Sequence, residues 1–411
     1  MLPRFKAIPS TLALVTALAL AVTFGGAASA APIASNASSV SFFHSCGAAT
    51  AGFAQCHAIV RVGGAAQRTS ANALTGCSNP SSGYTPCDLQ SAYNIPSTTA
   101  TTTVAIVDAY NDPNAEADLG VYRSQFGLPA CTTANGCFSK VNQTGGTSYP
   151  RNDGGWAQEI SLDLDMVSAL CPTCHILLVE ASSNSFANLL AAEDYATSHA
   201  SYISNSWSGG ESSSETSYDS HFEHAGKVYV FATGDSGYGT GYPAASPYVT
   251  AAGGTTLTPA SNSRGWTETA WSGAGSGCSS YEAQPSWQST VSNITSVCSK
   301  RAEADVSAVA NPSTGVDVYD SFKYQGLSGW LVFGGTSVAT PVITTVYAIA
   351  GNASTAVPTA TSGASYIYSH TSSLNDVTSG SNGNCGTDLC NAVAGWDGPT
   401  GFGTPNGTGS F

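Results

Sequence analysis

From Thr103 onward, short apolar runs alternate with longer segments of helical spacing, and this alternation restricts the fold more than any other feature of the chain. Thr103–Val107, His175–Glu180, Tyr202–Asn205, Val228–Ala232, Val249–Ala252, Val306–Val309 and Leu331–Phe333 read as strands. Between several of them, Ala115–Phe126, Ala157–Leu170, Phe186–Ala200 and Tyr218–Gly226 read as helices. Strands that alternate with helices predict one doubly wound, mainly parallel α/β sheet flanked by helices, in a single large domain of about 330 residues.

Upstream of this pattern the chain changes character. A basic start (Arg4, Lys6), an apolar stretch from Leu12 to Phe24, and Ala28-Ser29-Ala30 ahead of Ala31 read as a secretory signal over residues 1–30. A membrane anchor is the alternative, but the stretch is short and ends in Gly25-Gly26. No other segment is apolar enough to span a bilayer, so a soluble secreted protein with no membrane partner is expected. Residues 31–83 are small, polar and without periodicity, a reduced prosegment or a permanent extension; residues 84–411 carry the regular pattern. Twelve cysteines fit an oxidising exterior. They fall in close pairs, Cys46/Cys56, Cys77/Cys87, Cys131/Cys137, Cys171/Cys174, Cys278/Cys298 and Cys385/Cys390, which predicts local disulfides. Zinc is the competing use of Cys171-Pro172-Thr173-Cys174-His175, but the second CxxC of a four-ligand set is missing.

Charge narrows the partners. The chain carries 12 Lys and Arg against 26 Asp and Glu, a net charge of -14. The scattered cations form no basic stripe, which excludes nucleic acid as a partner. With only 9% charged residues, the surface has little charge to rearrange as carboxylates protonate, which suits an acidic medium.

Chemistry enters at Gly334-Gly335-Thr336-Ser337, where an apolar strand turns sharply into the apolar helix that continues from Val342 to Ala350. Ser337 falls at the helix N-terminus, where unpaired N–H groups and the macrodipole favour a developing oxyanion. A Ser/Thr helix cap is the plain alternative. A serine nucleophile needs a base, and none of the seven histidines opens a helix in the His-Gly-Thr manner of subtilisin-like proteases; His175 and His370 read as surface or structural residues. Carboxylates offer a substitute. Glu159 and Asp163 stand four apart, on one face of a helix. On a wet helix they would be a solvated acidic face; buried together they would share a proton, the signature of an acid/base pair. The apolar neighbours Trp156, Ile160, Leu162, Leu164, Met166 and Val167 favour burial. A further carboxylate, Asp235, follows the strand Val228–Ala232 in the turn Gly234-Asp235-Ser236-Gly237, at the strand end where a parallel sheet presents its ligand sites.

In order along residues 85–408, these motifs resemble the sedolisins, the serine-carboxyl peptidases of subtilisin-like fold. The Glu159/Asp163 helix, the Gly234–Gly237 turn and Gly335-Thr336-Ser337 carry the resemblance, with support from Ser91-Ala92-Tyr93-Asn94-Ile95-Pro96, Ser206-Trp207 and the stretch Arg301 to Pro312. The resemblance implies a Ser-Glu-Asp triad of Ser337, Glu159 and Asp163, with Asp235 as a protonated oxyanion donor and Asp108 and Trp207 extending the network. It implies a secreted endopeptidase active in acid, a monomer acting on protein or peptide substrates; tripeptidyl release by the same fold and a non-catalytic binding module are the alternatives. It also implies one structural calcium ion, held by the carboxylates of Asp376 and Asp397 and the carbonyls of Val377, Val393 and Gly395. Sedolisins usually carry a long folded propeptide; with about fifty residues between Ala31 and the catalytic start, removal of such a domain is not expected here.

Overall fold

The structure, a computed structural model, describes residues 39–64, 80–359 and 361–411. The signal expected over residues 1–30 and Cys77 lie outside the described residues. Three short strands come first, β1 (Ser41–His44), β2 (Gln55–Cys56) and β3 (Ile59–Val62), followed by helix α1 (Pro86–Ala92). The alternation then runs β4 (Thr103–Ala109), α2 (Ala115–Gln125), β5 (Phe138–Asn142), α3 (Gly154–Leu170), β6 (His175–Ala181), α4 (Phe186–His199), β7 (Tyr202–Asn205), β8 (Trp207–Gly210) and β9 (Val228–Ala232). Next come β10 (Gly241–Tyr242), β11 (Thr250–Pro259), β12 (Trp266–Ala270), β13 (Gly277–Ala283), the single turn α5 (Ser292–Thr295), β14 (Lys300–Glu303) and β15 (Val306–Val309). The antiparallel pair β16 (Val316–Tyr324) and β17 (Leu327–Gly334) leads into α6 (Thr336–Ala350).

The central sheet has the order β12-β11-β9-β7-β4-β6-β5, with β15 also paired to β11, and only the edge strand β12 runs antiparallel. Its strands are apolar on both sides because helices cover both. Along β4, Val104 and Ile106 belong to a core with Ile160, Leu164 and Val342, while Ala105 and Val107 join Leu189 and Leu190 of α4. The sheet winds outward in both directions from β4, and at such a reversal the loops beyond the carboxyl ends of the strands converge.

Helix α3 is the buried middle of the molecule. Asp153 caps it, accepting from the amides of Gly155 and Trp156. It packs against α1, α2, α6 and β16, and every residue from Gly155 to Leu170 is buried. A solvated acidic face at Glu159 and Asp163 is thereby excluded.

Several details differ from the sequence reading. Of the helix expected over Tyr218–Gly226, only a 3-10 turn at Asp219–His221 forms. Asp219 turns inward to accept from Tyr242 and Ser246, and nine residues lack the length to hold a helix without a packing face. The strand leading to Ser337 lies outside the central sheet, in a four-stranded sheet of order β1-β3-β17-β16. Pro341 sits inside α6, in its second turn. The amide it lacks would have bonded the Ser337 carbonyl, which instead lies 3.4 Å from the Ser206 hydroxyl. Residues 41–62, read as part of a separate segment, contribute strands to two sheets of the same compact unit that holds the rest of the described chain. Five of the expected disulfides are present: Cys46–Cys56, Cys131–Cys137, Cys171–Cys174, Cys278–Cys298 and Cys385–Cys390. The bond between Cys171 and Cys174 removes both thiolates from any zinc site.

Candidate active site

Three elements bring the chemistry together. Ser337 is the second residue of α6, Glu159 and Asp163 lie on successive turns of α3, and Asp235 follows β9. All four are buried, with Asp235 retaining 8% exposure and the others none. Gly335 makes the corner possible. Its φ of +99° is open to glycine, and a Cβ there would sit 1.7 Å from the carbonyl oxygen of His57 and 2.6 Å from Asp235 Oδ2.

The hydrogen bonds assign each carboxyl a distinct position. The hydroxyl of Ser337 donates to the Ser206 carbonyl at 3.4 Å and lies near enough to the Glu159 carboxyl to favour its charged form; Glu159 Oε2 accepts from the amide of Ala58 at 2.7 Å, and its Oε1 is buried without a partner. Asp163 Oδ1 accepts from the Ser206 hydroxyl at 2.8 Å. Asp235 Oδ1 accepts from the amide and hydroxyl of Thr336, at 2.7 and 2.8 Å, so it is tied to the first turn of α6. Its Oδ2 is buried without a hydrogen-bond partner and faces the His57 carbonyl region.

Burial governs the protonation of this cluster. Glu159 is pushed well above the usual carboxylate range, first by loss of solvent, then by the charge of Asp108; the nearby Ser337 hydroxyl and the bond from Ala58 oppose the shift. Asp163 is raised likewise, by burial, then by Asp108 and Glu159, with Ser206 opposing. Burial, then Glu180, takes Asp108 to about 8. Burial takes Asp235 to about 7 against the bonds from Thr336. No lysine or arginine counters any of these four shifts.

Asp108 closes β4 with both carboxyl oxygens buried. Trp207 reaches it only through the backbone, donating its indole N–H to the Val107 carbonyl at 2.9 Å and holding the strand end beside it. Two participants escaped the sequence reading. Ser206 bridges Asp163 and the Ser337 carbonyl, and His57 with Ala58 lies directly over the site. Nothing in the local pattern Gln55-Cys56-His57-Ala58 marks it, because its position depends on strand pairing with residues far along the chain. His175 and His370 are exposed, away from this cluster.

The residues expected to hold calcium lie close together in the C-terminal region. Asp376 Oδ2 accepts from the amide of Gly395 at 2.9 Å, and Asp397 Oδ2 from that of Val393 at 3.1 Å. The carbonyls of Ala394 and Trp396 accept from Asn293. Asp397 is pushed up to about 8, first by burial, with Asp376 adding repulsion and no cation side chain relieving it. Two oxygen-donor carboxyls held by one loop without a counter-charge fit a hard cation. Val377 is buried beside them. Among the described residues no group of three or more His, Cys, Asp or Glu is gathered for a metal.

Comparison with known proteins bears on the family and the fold. The sequence model of the subtilase family, Peptidase_S8, matches residues 141–403. Sedolisin of Pseudomonas sp. (strain 101) is 28% identical over 394 residues, spanning 85% of this chain and 63% of its own length. Kumamolisin of Bacillus sp. (strain MN-32) is 30% identical over 362 residues, 79% of this chain and 62% of its own length. The chain thus spans less than two thirds of these two relatives. Among solved structures, Pseudomonas sedolisin, a serine-carboxyl proteinase in complex with two molecules of pseudo-iodotyrostatin, superposes with a TM-score of 0.65 at 29% identity, over 79% of this chain and 95% of that one.

Proposed function

Because the chain belongs to the subtilase family, in its sedolisin branch, we propose that it is a secreted serine-carboxyl endopeptidase that hydrolyses protein or peptide substrates in acid through an acyl-enzyme. The observation that carries this reading is the carboxyl beside the nucleophile: Glu159 is fully buried with Oε1 unpartnered, and the Ser337 hydroxyl is close enough to favour its charged form. Glu159 takes the proton from Ser337 as the hydroxyl attacks, and later delivers it to the leaving nitrogen. Asp163, held by Ser206, orients Glu159 and shares its charge. Asp235, its ordinary carboxyl range raised to about 7, is protonated in acid, and its unpartnered Oδ2 donates a hydrogen bond to the oxyanion.

The clustered carboxyls explain why acid serves this chemistry. Coupled groups lose their protons in sequence; hydrogen bonds from Ala58 and Ser206 and the nearby Ser337 hydroxyl stabilise the first negative charge, and that charge pushes up each later ionisation. Glu159 carries the donors that favour its charged form, so in acid the first negative charge of the cluster is assigned to it, while Asp108 and Asp235 keep their protons. A histidine base with a pKa of about 6.5 would be charged at that pH and unable to accept one. Cutting within a chain, not at its end, is supported by a cleft in which residues 55–56 pair with β8 and residues 59–61 with β17, so polypeptide is accommodated on both sides of the site. Five disulfides suit an extracellular setting, and no helix among the described residues is long and apolar enough to cross a membrane. One calcium ion, supplying structural rigidity, would be held by Asp376 and Asp397 with backbone oxygens of Val377, Val393 and Gly395; no catalytic step depends on it.

The test is hydrolysis of a protein substrate at pH about 4 with product masses read by mass spectrometry. Ser337→Ala and Glu159→Gln should each lower kcat by at least about 1,000-fold with secretion intact. Full activity in Glu159→Gln overturns the mechanism, and products that are all tripeptides overturn the endopeptidase reading.

A further inference from the structure

One stretch of the chain is held in the molecule chiefly by acids. Between Gly210 and Phe222 it forms two 3-10 turns, Glu215–Ser217 and Asp219–His221, and pairs with no strand among the described residues. The side chains it buries are Glu215 and Asp219; Tyr218, partly exposed, rests on Phe186, and the rest face solvent wholly or in part. Apolar anchors hold at any pH, whereas these two hold only in the protonation state that burial allows. Behind the stretch stands β13, crosslinked by Cys278–Cys298 and paired with β14.

The stretch backs one wall of the pocket beside Asp235. Gly209, Gly210, Thr240 and Gly241 line that wall, where β8 and β10 pair, Gly210 with Gly241 and Gly209 with Tyr242. From behind, Glu211 Oε2 accepts from the Thr240 hydroxyl at 2.6 Å and the Ser280 amide at 3.2 Å, and its Oε1 from the Ser279 hydroxyl. Asp219 Oδ1 accepts from the Tyr242 hydroxyl at 3.1 Å and from Ser246 at 2.7 Å. Glu215 and Glu282 of β13 are 1% and 2% exposed, and the Oε1 of each is buried without a partner. Burial takes Glu215 to about 8, with the Ser212 amide opposing and Glu211 and Asp219 adding repulsion. Burial, then Asp219, takes Glu282 to about 8. The other titratable groups around them are acids and tyrosines: fully buried Glu303 on β14, Glu223 and Tyr248 at the edge, and Tyr242 on β10. The neighbouring cations are engaged elsewhere, Arg301 with Asp305 and Lys300 Nζ with the Tyr281 carbonyl at 3.1 Å; on the α4 side His221 meets Asp194 in the open.

We propose that Glu211, Glu215, Asp219 and Glu282 form a proton-operated latch on the substrate pocket: protonated in acid, they hold residues 211–221 against β13, and their ionisation releases that stretch and opens the wall. The effect on substrate rests on the peptidase reading above; the movement itself does not. Glu215 and Glu282 hold their protons more tightly in the closed wall than in water, so protons stabilise the closed form. The latch is fully closed below about pH 4 and opens as pH rises toward about 8. Once ionised, the two carboxylates repel with no cation between them, and hydration at the exposed edge Ser212–Ser214 favours the open form. The crosslinked β13 stays in place, and residues 211–221 move. Glu211 then leaves Thr240, and Asp219 leaves Tyr242, so the pocket wall loses its backing. Ser337, Glu159 and Asp163, on α6 and α3, are not part of this wall. Opening therefore weakens substrate binding and spares the chemical step, whose own limit in neutral solution is Asp235.

Hydrogen exchange of the full-length chain carrying Ser337→Ala, which cannot digest itself, reads the movement. From pH about 5 to about 8, after correction for the intrinsic rate, protection of the Tyr218, His221 and Phe222 amides should fall by at least about 100-fold, more than in α3. With Glu215→Gln and Glu282→Gln together, whose carboxamides cannot ionise, the fall should be under about 10-fold, and Glu282→Gln alone should lie between. In the active enzyme, KM for a peptide substrate should rise about 10-fold from pH about 6 to about 8 as the closed fraction drops, and by less than about twofold in the double variant. Protection of 211–221 that does not change with pH overturns the latch, whether or not peptide is hydrolysed. A loss of protection that persists undiminished in the double variant overturns it too, because other groups then drive the release. Release without a rise in KM overturns the link to the pocket. If no peptide is hydrolysed at any pH, the peptidase reading falls, and the exchange result still decides whether the latch exists.

Discussion

Arg301 and Asp305 are as deeply buried as Glu159, Asp163 and Asp108, yet the two regions neutralise their carboxyls in opposite ways. Asp305 receives a two-pronged guanidinium, Nη1 to Oδ1 at 3.0 Å and Nη2 to Oδ2 at 2.5 Å, together with the Ala251 amide and the Tyr368 hydroxyl. Burial still raises its pKa, but Arg301 pulls it back. Around Glu159 and Asp163 the donors are serine hydroxyls and one backbone amide, and no cation is in play. A buried carboxyl must be offset by a cation, a metal or a proton. With 26 acids against 12 lysines and arginines, cations cannot serve everywhere, and the site uses protons. Asp397, buried with no cation side chain beside it, would have its charge offset by the proposed calcium ion.

The contrast breaks most visibly at Arg301. Arg301→Met strands the Asp305 charge and should cost about 3–5 kcal/mol in denaturant unfolding at neutral pH. A loss under about 1 kcal/mol would mean that the pair holds nothing its hydrophobic neighbours do not. The proton-neutralised carboxyls predict a slope with pH. Asp108 is raised to about 8, and Asp112, Glu180, Asp235 and Asp320 to about 7. Between the unfolded value near 4 and these folded values the native state binds more protons, so this stabilisation is full below about pH 4 and is lost as pH rises through 7 to 8. Thermal unfolding from pH about 4 to about 8 should show Tm falling by about 10 °C, with a shallower fall in Glu159→Gln. A Tm that rises toward neutral pH contradicts the sign. Smallest is the metal: chelation of calcium at fixed pH should lower Tm by about 5 °C, and no shift, with Asp376→Asn equally stable, removes the ion from the loop.

Much of this was legible in the chain. The α3 reading over Ala157–Leu170 misses only the first turn, which Asp153 caps. The apolar runs at Thr103, His175 and Val228 became β4, β6 and β9, since strands buried on both faces advertise themselves by composition. Phe138–Asn142 and Trp266–Ala270, at the sheet's edges, did not stand out, because Lys140 and Glu268 interrupt their apolar runs. Ser337, Glu159 and Asp235 were recognisable by motif, whereas Ser206's bridge to Asp163 appears only when β7 ends beside α3.

By itself the sequence determined what is local: Glu159 and Asp163 on one helical face, a glycine corner before Ser337, and cysteine pairs close enough to bond. Those follow from helical spacing, glycine's freedom at positive φ and short loop closure. Tertiary structure alone decided the protonation of the carboxyls, because desolvation depends on what packs over α3 and not on its own residues. It alone also brought His57 against Gly335 and the Ala58 amide onto Glu159. Cys56 pairs with Trp207 and Val60 with Phe333, and strand edges so distant in sequence meet only once the sheets between them have formed.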